Sequence, residues 1–502
     1  MRAWLDGLLG RFTMYRLVLV VLGVLALYSI ILDLLGWLTF GLPAIFASLL
    51  ISLLVTTLVS WLLGLVFRVK VQLESSLISG LLIYFLFWPS LQAGELAGIA
   101  LAAATASASK FLLAWRGRHI FNPAAIGAFL VSLTGLNIAT WWTATPAMLW
   151  LLVPAAALVL YRSSKLIFAA IFIVTAATII IVRLLSNGLA LGAALSQPFA
   201  SLPVLFFVGF MLSEPLTLPP RRYQQWLLAG LVAVLFSVPF QLGPVFSTPE
   251  LALLIGNLLA FTVGQRGGLR LSFQGARQLT PTSMEYRFSA ARPVRFAAGQ
   301  YMELSLPHRK PDWRGSRRVF SLTTDPRQGA QLAFGLRLAE PSSSFKRELN
   351  SLKAGAVISA TGVWGDFVLP AGRAPLLLMA AGVGITPFLS QLRHLQHSAA
   401  EHRDVVLLYV ISSLDEFGYR EELLKLTAAE GIRLLISAPE DPGVGEYLST
   451  GYPSAEQLKT AVPDISARRS YASGSPTFVA HARSIGHHAG ARKVHTDSFL
   501  GY

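Results

Sequence analysis

The sequence predicts a polytopic α-helical membrane domain followed by an antiparallel β-barrel and an α/β domain, and three features of patterning predict it. Residues 17 to 263 are largely apolar runs, most charge of either sign lies after Gly264, and the pattern changes again after Ala374. With 502 residues, 54% hydrophobic and 13% charged, the chain is too apolar for an ordinary soluble protein and too long for one compact domain. The expected domains are 1–264, 265–372 and 373–502.

A bilayer core takes about 20 apolar residues per helix, and Leu17 to Phe40 supplies such a run with Asp33 as its one acid. The run is too long for a signal peptide and lacks a small-x-small cleavage site, so it reads as a retained membrane helix. Continuing the same count gives about ten spans: roughly 17–40, 44–67, 76–93, 96–114, 122–136, 146–161, 166–186, 201–213, 224–241 and 250–264. Basic residues alternate between their ends. Arg2, Arg11 and Arg16, then Arg68 and Lys70, then Lys110, Arg116 and Arg118, Arg162 and Lys165, Arg221 and Arg222, and Arg266 and Arg270 fall on one side. The loops from Gly135 to Pro146 and from Gln241 to Thr248 carry no lysine or arginine, and Arg183 is the one basic residue near that face. The positive-inside rule puts the basic side, both termini and the C-terminal half in the cytoplasm of a multi-pass cell-membrane protein, with the lipid bilayer as partner.

A formal net charge of +15 suits a phosphate backbone, but much of it sits in these short loops, so no nucleic-acid partner is expected. There is no cysteine, which excludes disulfides, thiolate zinc sites and cysteine-ligated iron–sulfur clusters held by this chain. Of nine histidines, His119 alone lies in the apolar half. A bis-histidine haem is therefore excluded unless another chain supplies a ligand, and no metal site is expected.

From residue 269, short alternating runs such as Tyr286-Arg-Phe-Ser and Gln300-Tyr-Met-Glu-Leu-Ser-Leu, bounded by Gly and Pro, read as strands and turns. Arg318-Val319-Phe320-Ser321 ends one strand, and Ser342-Ser343-Ser344-Phe345 precedes an expected helix over Lys346 to Leu352. Taken alone, the first is an edge strand and the second a helix cap or an anion-facing helix end. After Pro375-Leu-Leu-Leu-Met-Ala comes Ala381-Gly382-Val383-Gly384-Ile385-Thr386-Pro387 and a helical stretch; Asp404-Val-Val-Leu-Leu-Tyr-Val repeats the strand–helix alternation of a doubly wound unit. Tyr471-Ala-Ser473-Gly474-Ser475-Pro476 and Thr496-Asp-Ser-Phe499-Leu-Gly501-Tyr502 follow.

In this order the motifs resemble the ferredoxin-NADP reductase family. The resemblance implies an FAD-binding barrel and an NAD(P)-binding α/β domain. Arg318 is placed on the FAD pyrophosphate, Phe320 against the isoalloxazine in place of the usual tyrosine, and Ser321 near the reactive flavin nitrogen, with Val319 between them counted among the FAD contacts. Ser343, Ser344 and Phe345 become the second phosphate contact. Gly382, Val383, Gly384, Thr386 and Pro387 form the nicotinamide-nucleotide turn, a Gly-x-Gly-x-x-Pro pattern. Ser473 and Gly474 lie beside the nicotinamide, and Tyr502 covers the flavin. Ser321, Ser473 and Tyr502 are the expected catalytic group. The run after Tyr409 lacks an arginine that NADPH-selective members often carry, which favours NADH, while Arg468, Arg469, Arg483 or Arg492 leave NADPH open.

In the apolar half, Arg118-His119-Ile120-Phe121-Asn122-Pro123, then Thr143-Ala144-Thr145-Pro146, then Phe210-Met-Leu-Ser213-Glu214-Pro215-Leu-Thr217 resemble the membrane flavin subunits of Rnf complexes and of sodium-pumping NADH:quinone oxidoreductase. That resemblance implies an FMN near Arg118, Asn122, Thr143, Thr145 and Glu214, with Thr145 the attachment site of a phosphoester. Trp141-Trp142 stand where Asp-Gly-x-Ser is usual, so a non-covalent FMN is the alternative. On the residues alone, Asn122-Pro123 starts a helix or breaks it at a polar site, Glu214 is a loop acid or couples protons or sodium, and the two tryptophans form an interfacial belt. The combined expectation is an NAD(P)H:acceptor oxidoreductase delivering electrons to a quinone, an extracytoplasmic acceptor or partner subunits; the alternative is a redox-driven Na+ or H+ translocator.

Overall fold

The computed structural model describes residues 14–499 apart from 70, 116–117, 244, 264–267, 310–311, 313–315, 339, 341, 398–402 and 431. The described chain divides into two compact units, one before and one from residue 269.

The first unit is helical: α1 (Met14–Leu34), α2 (Leu42–Val66), α3 (Leu73–Leu86), α4 (Ala93–Leu112), α5 (Pro123–Ser132), α6 (Pro146–Arg162), α7 (Leu166–Ser186), α8 (Leu191–Ala200), α9 (Val204–Leu212), α10 (Arg222–Ser237) and α11 (Pro249–Val263). By length and composition α1, α2 and α7 are able to cross a membrane, as are α8 and α9 together if their 41° bend is one broken span. The apolar helices α3, α5, α6 and α11 have 10–17 residues. At 1.5 Å per residue, all four fall short of a core about 30 Å thick.

The packing of α2 inverts that of a helix in a soluble protein. Along α2, Ala44, Ser48, Ser52, Thr56, Ser60 and Gly64 are buried at every fourth position, while Phe46, Leu50, Leu54, Leu58, Trp61 and Leu65 face outward. Small residues let backbones approach where the surroundings are apolar. A Cβ on Gly80 of α3 would lie 2.8 Å from Thr56 Oγ1, and one on Gly127 of α5 would lie 2.4 Å from the Ala102 carbonyl oxygen. The second half of α9, Phe207–Leu212, is a fully buried π-helical stretch.

The second unit holds two six-stranded sheets. Strands β1 (Leu269–Thr280), β2 (Ser283–Ala290), β3 (Tyr301–Ser305), β4 (Arg317–Ser321), β5 (Gln331–Arg337) and β6 (Val357–Trp364) pair antiparallel in the order β4-β3-β6-β1-β2-β5. Their inward residues, among them Phe288, Phe334, Leu304 and Ile358, form one core with Phe345 and Leu349 of α12 (Ser344–Asn350). That helix starts two residues before the expected Lys346, because the Ser343 hydroxyl accepts from the Lys346 amide at 3.3 Å and so caps it.

The other sheet is parallel, built from β7 (Leu376–Ala381), β8 (Val405–Val410), β9 (Arg433–Ser437), β10 (Glu446–Ser449), β11 (Arg469–Gly474) and β12 (Val494–Ser498) in the order β10-β9-β8-β7-β11-β12. Helices α13 (Ile385–Gln396), α14 (Arg420–Glu430), α15 (Ala455–Ala461) and α16 (Pro476–Ala489) connect them. β8 is buried at every residue, as expected of a strand covered on both faces. The strand order reverses between β7 and β11. In open α/β sheets ligands bind at such a switch point, outside the carboxyl ends of the strands.

Candidate functional site

The Gly382–Gly384 turn leaves the carboxyl end of β7, and Ser473 and Gly474 end the neighbouring β11, with Ala380 registered on Ser473. Gly382 has a φ of +50°, which favours glycine. A Cβ on Gly384 would lie 2.1 Å from the Ser473 carbonyl oxygen, so the two loops meet backbone to backbone. Thr386 Oγ1 donates to the Val383 carbonyl at 2.9 Å, and the buried Tyr409 hydroxyl donates to the Gly382 carbonyl at 3.1 Å. Burial pushes the Tyr409 hydroxyl well above its ordinary value, keeping it a donor. Pro387 lies in the first turn of α13, where its missing N–H costs nothing. The Ser473 hydroxyl is fully buried and has no hydrogen-bond partner among the described residues, which leaves a donor at the switch point. The chain passes here once more: the Phe499 amide donates to the Gly474 carbonyl at 2.8 Å. Tyr502 lies outside the described residues.

On the barrel, Arg318 and Phe320 share one face of β4, and Val319, half exposed, points to the other. The Arg318 guanidinium lies 5.4 Å from the Phe345 ring centroid, Phe320 and Phe345 have centroids 6.0 Å apart, and Ser321 is buried at the strand end. Asp312 joins this group. Its Oδ1 is 3.5 Å from Arg318 Nη2, its Oδ2 accepts from the Ser344 amide at 2.8 Å, and its amide donates to Ser344 Oγ at 2.8 Å. Arg318 and the start of α12 thus already hold a carboxylate between them. A guanidinium and helix amides converging on an anion suit a pyrophosphate, and flanking rings suit an isoalloxazine. FAD fits these residues and, when bound, accepts hydride in pairs of electrons and releases them singly.

Sequence reasoning did not find what joins the two sheets. A Cβ on Gly335 of β5 would lie 2.6 Å from the Tyr419 hydroxyl and 2.8 Å from Thr386 Cγ2, which brings the barrel onto the glycine turn. Helix α13, which follows that turn, is tied to the barrel side by three polar residues. Ser390 Oγ donates to the Thr324 carbonyl (2.6 Å), Gln391 Nε2 to the Phe367 carbonyl (2.7 Å) and Arg393 Nη1 to the Thr323 carbonyl (2.6 Å). Arg393 also forks onto Glu422 at 2.6 and 2.8 Å, with Glu285 at 3.9 Å. Burial alone would lower the Arg393 pKa, and the carboxylates of Glu422 and Glu285 outweigh it and raise it. The Tyr419 hydroxyl is raised well above its ordinary value by burial, with Glu285 adding to the effect. These residues lie on amphipathic helices and strands with no motif; polar positions at 390, 391 and 393 on one helix were the available signal.

In the helical unit the structure splits the expected FMN residues into two groups. Asn122 caps α5, accepting from the Ala125 amide at 3.1 Å. Its Nδ2 donates to Glu214 Oε2 at 3.0 Å, and Glu214 Oε1 is 2.9 Å from His119 Nε2. The Asn122 amide donates to Asn257 Oδ1 of α11 at 2.7 Å. Glu214 is therefore not a free loop acid but part of a polar cluster at the end of the π-helical stretch. Thr143 and Thr145 lie elsewhere, and neither hydroxyl has a hydrogen-bond partner among the described residues. Beside them the Trp141 indole donates to Glu250 Oε2 at 3.2 Å. Glu250 and Asn257 are both on α11, seven residues and hence about 10 Å apart, which separates the two groups. Trp141 and Trp142 are 4% and 2% exposed, so they are core residues and not an interfacial belt; each indole finds an acceptor inside, Trp142 on the Tyr84 carbonyl at 2.9 Å. The Arg118 side chain lies outside the described residues; its backbone pairs with Trp115.

A switch-point glycine turn meeting an orphaned serine, beside a barrel with an arginine–aromatic anion cradle, defines the class of nucleotide-dependent flavin reductases. The comparisons agree with this. The model of the oxidoreductase NAD-binding domain family matches residues 378–484. The beta subunit of a heme-dependent oxidative N-demethylase from Ectopseudomonas mendocina is 32% identical over 150 residues, 29% of this chain and 46% of that protein. The reductase component of propane 2-monooxygenase from Rhodococcus jostii is 25% identical over 209 residues, 40% of this chain and 55% of its own. Ferredoxin-NADP reductase B from Sorangium cellulosum is 29% identical over 209 residues, 40% and 79% respectively. The chain spans about half the length of the first two. The C-terminal half is a ferredoxin-NADP-reductase-like FAD/NAD-binding module.

Proposed function

We propose that this chain takes hydride from NAD(P)H, with NADH favoured, onto FAD in its C-terminal half and passes the electrons into its helical half, to an FMN there and on to a quinone or an extracytoplasmic acceptor. The observation that carries the reading is the contact of Gly384 with Ser473 at the switch point, within the stretch matched as NAD-binding. In this reading residues 1–264 form a membrane domain of about ten spans with both termini cytoplasmic, related to the Rnf and sodium-pumping NADH:quinone oxidoreductase flavin subunits. Residues 265–372 hold FAD through Arg318, Phe320, Ser321, Ser343, Ser344 and Phe345, and residues 373–502 hold the nicotinamide nucleotide, with Tyr502 over the flavin. The outward leucines and buried small residues of α2 support a lipid setting. Relatives named as a reductase component and an electron transfer component support partner subunits as further acceptors.

A second reading makes the helical half a Na+ or H+ translocator driven by the reductase. The half-buried His119–Glu214 pair, tied to the buried Asn122 and Asn257, favours it, since ionisable groups within an apolar helical unit are costly and mark ion paths. Flavin analysis of detergent-purified protein with acid extraction, beside Thr145→Ala, tests the leading reading. FAD plus FMN, with FMN lowered in the variant, is the expected result; FAD alone removes the relay in the helical half, and no flavin sinks the reductase.

A further inference from the structure

Tyr419, the residue before α14, is 6% exposed and has a φ of +59°. For a bulky side chain that is a steric outlier, and it persists only where the surroundings enforce it. They do so here. The guanidinium groups of Arg277 on β1 and Arg393 on α13 lie 5.9 and 6.0 Å from the centroid of its ring. The segment leading to it is tied to the barrel, because Glu416 Oε2 accepts from the Thr280 and Thr282 hydroxyls, both at 2.9 Å. The Tyr419 hydroxyl, near the Glu285 carboxylate, makes no hydrogen bond of ordinary geometry among the described residues. A buried hydroxyl is normally paired, so this one is held in place for something other than a hydrogen bond.

What it touches shows its use. The hydroxyl fills the space that a side chain at Gly335 would take, for a Cβ there would lie 2.6 Å from it and 2.8 Å from Thr386 Cγ2. Gly335 follows Phe334, which bridges to Leu322, the residue after Ser321 at the end of β4. Thr386 in turn holds the Val383 carbonyl of the glycine turn. One hydroxyl therefore abuts both the barrel strand beside the Ser321 end and the residue that fixes the nucleotide turn. Its contribution is length: the next atom of the ring, Cζ, is 3.5 Å from the same point.

We propose that Tyr419 is a positioning residue for hydride transfer, whose hydroxyl spaces the glycine turn from the Ser321 end of the barrel and so sets the separation of nicotinamide from flavin. The inference rests on the proposed reductase reading for the reaction it serves. That reaction is NADH + H+ + FAD → NAD+ + FADH2, and Tyr419 exchanges no proton or electron in it.

The test uses the full chain in detergent as Tyr419→Phe, Gly335→Ala and the two combined. The change that NAD+ induces in the flavin spectrum reports the stacking of the two rings without turnover, and stopped-flow reduction at saturating NADH reports the transfer. Tyr419→Phe moves the contact back from 2.6 to 3.5 Å. Since ~1 Å of misplacement costs on the order of 100-fold, reduction should slow by roughly tenfold or more, with a weaker NAD+-induced spectrum. Half-saturation by NADH should stay within about twofold, as for a group that acts on the transition state alone. Gly335→Ala forces the Cβ against the hydroxyl and the Thr386 methyl and should slow reduction as well. In the combined variant the Cβ takes the vacated place, so it should be faster than Gly335→Ala alone, where independent sites would multiply their losses. An unchanged rate and spectrum in Tyr419→Phe, even with a lowered melting temperature, make the residue purely structural and overturn the inference. So does a combined variant slower than Gly335→Ala, and so does loss of flavin from Tyr419→Phe, which moves the role to FAD binding. A parent flavin that NADH does not reduce refutes the reductase reading instead, and the NAD+-induced spectra of the same variants then still decide the spacing.

Discussion

Gly384→Ala is the most discriminating substitution in the nucleotide-binding half. The added Cβ would lie 2.1 Å from the Ser473 carbonyl oxygen, 2.6 Å from its carbon and 2.7 Å from Gly474 Cα. All three are backbone atoms, so no rotamer change relieves the clash. Reaching ordinary contact near 3.4 Å requires the two loops to part by about 1.3 Å, enlarging the switch-point gap where the nicotinamide nucleotide is proposed to lie. Misplacing reacting groups by ~1 Å costs on the order of 100-fold in rate. Overpacking costs about 1–3 kcal/mol, less than the usual total of about 5–15 kcal/mol, so the variant folds. Arg318, Phe320 and Phe345 lie on barrel elements that the substitution does not touch, so flavin content stays. Stopped-flow reduction of bound flavin by NADH should therefore fall by about two orders of magnitude with an unchanged visible flavin spectrum before mixing. Reduction at the parental rate would refute the assignment of this turn.

Other expectations follow from the same geometry. Arg318→Ala removes the cation of the barrel cradle and should weaken FAD by about 10- to 100-fold, measured by fluorescence titration of the flavin-stripped protein, since a charged hydrogen bond contributes ~1.5–3 kcal/mol. Arg393→Met leaves Glu285, whose side chain is 2% exposed, with less positive charge around it and should destabilise the C-terminal half by about 3 kcal/mol, read from denaturant unfolding. At Asp325 burial favours the neutral acid, but hydrogen bonds from the Arg327 side chain and backbone and from His394 outweigh it and hold the carboxyl below its ordinary value. A depressed folded-state pKa contributes stability above the unfolded value of about 3.9 and loses it as pH falls through the folded one. Asp325→Asn should therefore lower the melting temperature at neutral pH and flatten its fall below about pH 4.

Much of the C-terminal half was legible because its physics is local. The unbroken Leu and Val runs of β7 and β8 announce strands buried on both faces, and glycines at a strand end announce a close approach. What the sequence hid is long-range. Nothing in the run around Gly335 or Tyr419 says that the two meet over Thr386, and the α13 side chains that hold the sheets together look like the polar face of any helix. In the helical half, hydropathy found the apolar segments, including the helices that Asn122-Pro123 and Thr145-Pro146 start, but not how short several of them are. Trp141 and Trp142 read as interfacial from composition, because a buried indole with an internal acceptor and an exposed one have the same hydropathy. Asn257 and Glu250 were passed over inside an apolar run, where a lone polar residue was the signal.

Anaerobic titration of the detergent-purified chain with NADH, followed by flavin absorbance, tests the central claim most directly. If electrons pass from FAD into a second flavin of the helical half, full bleaching takes about two NADH per chain, because each flavin accepts one hydride equivalent. One NADH per chain would confine the electrons to the C-terminal module and contradict the transfer, and no bleaching would contradict the reductase itself.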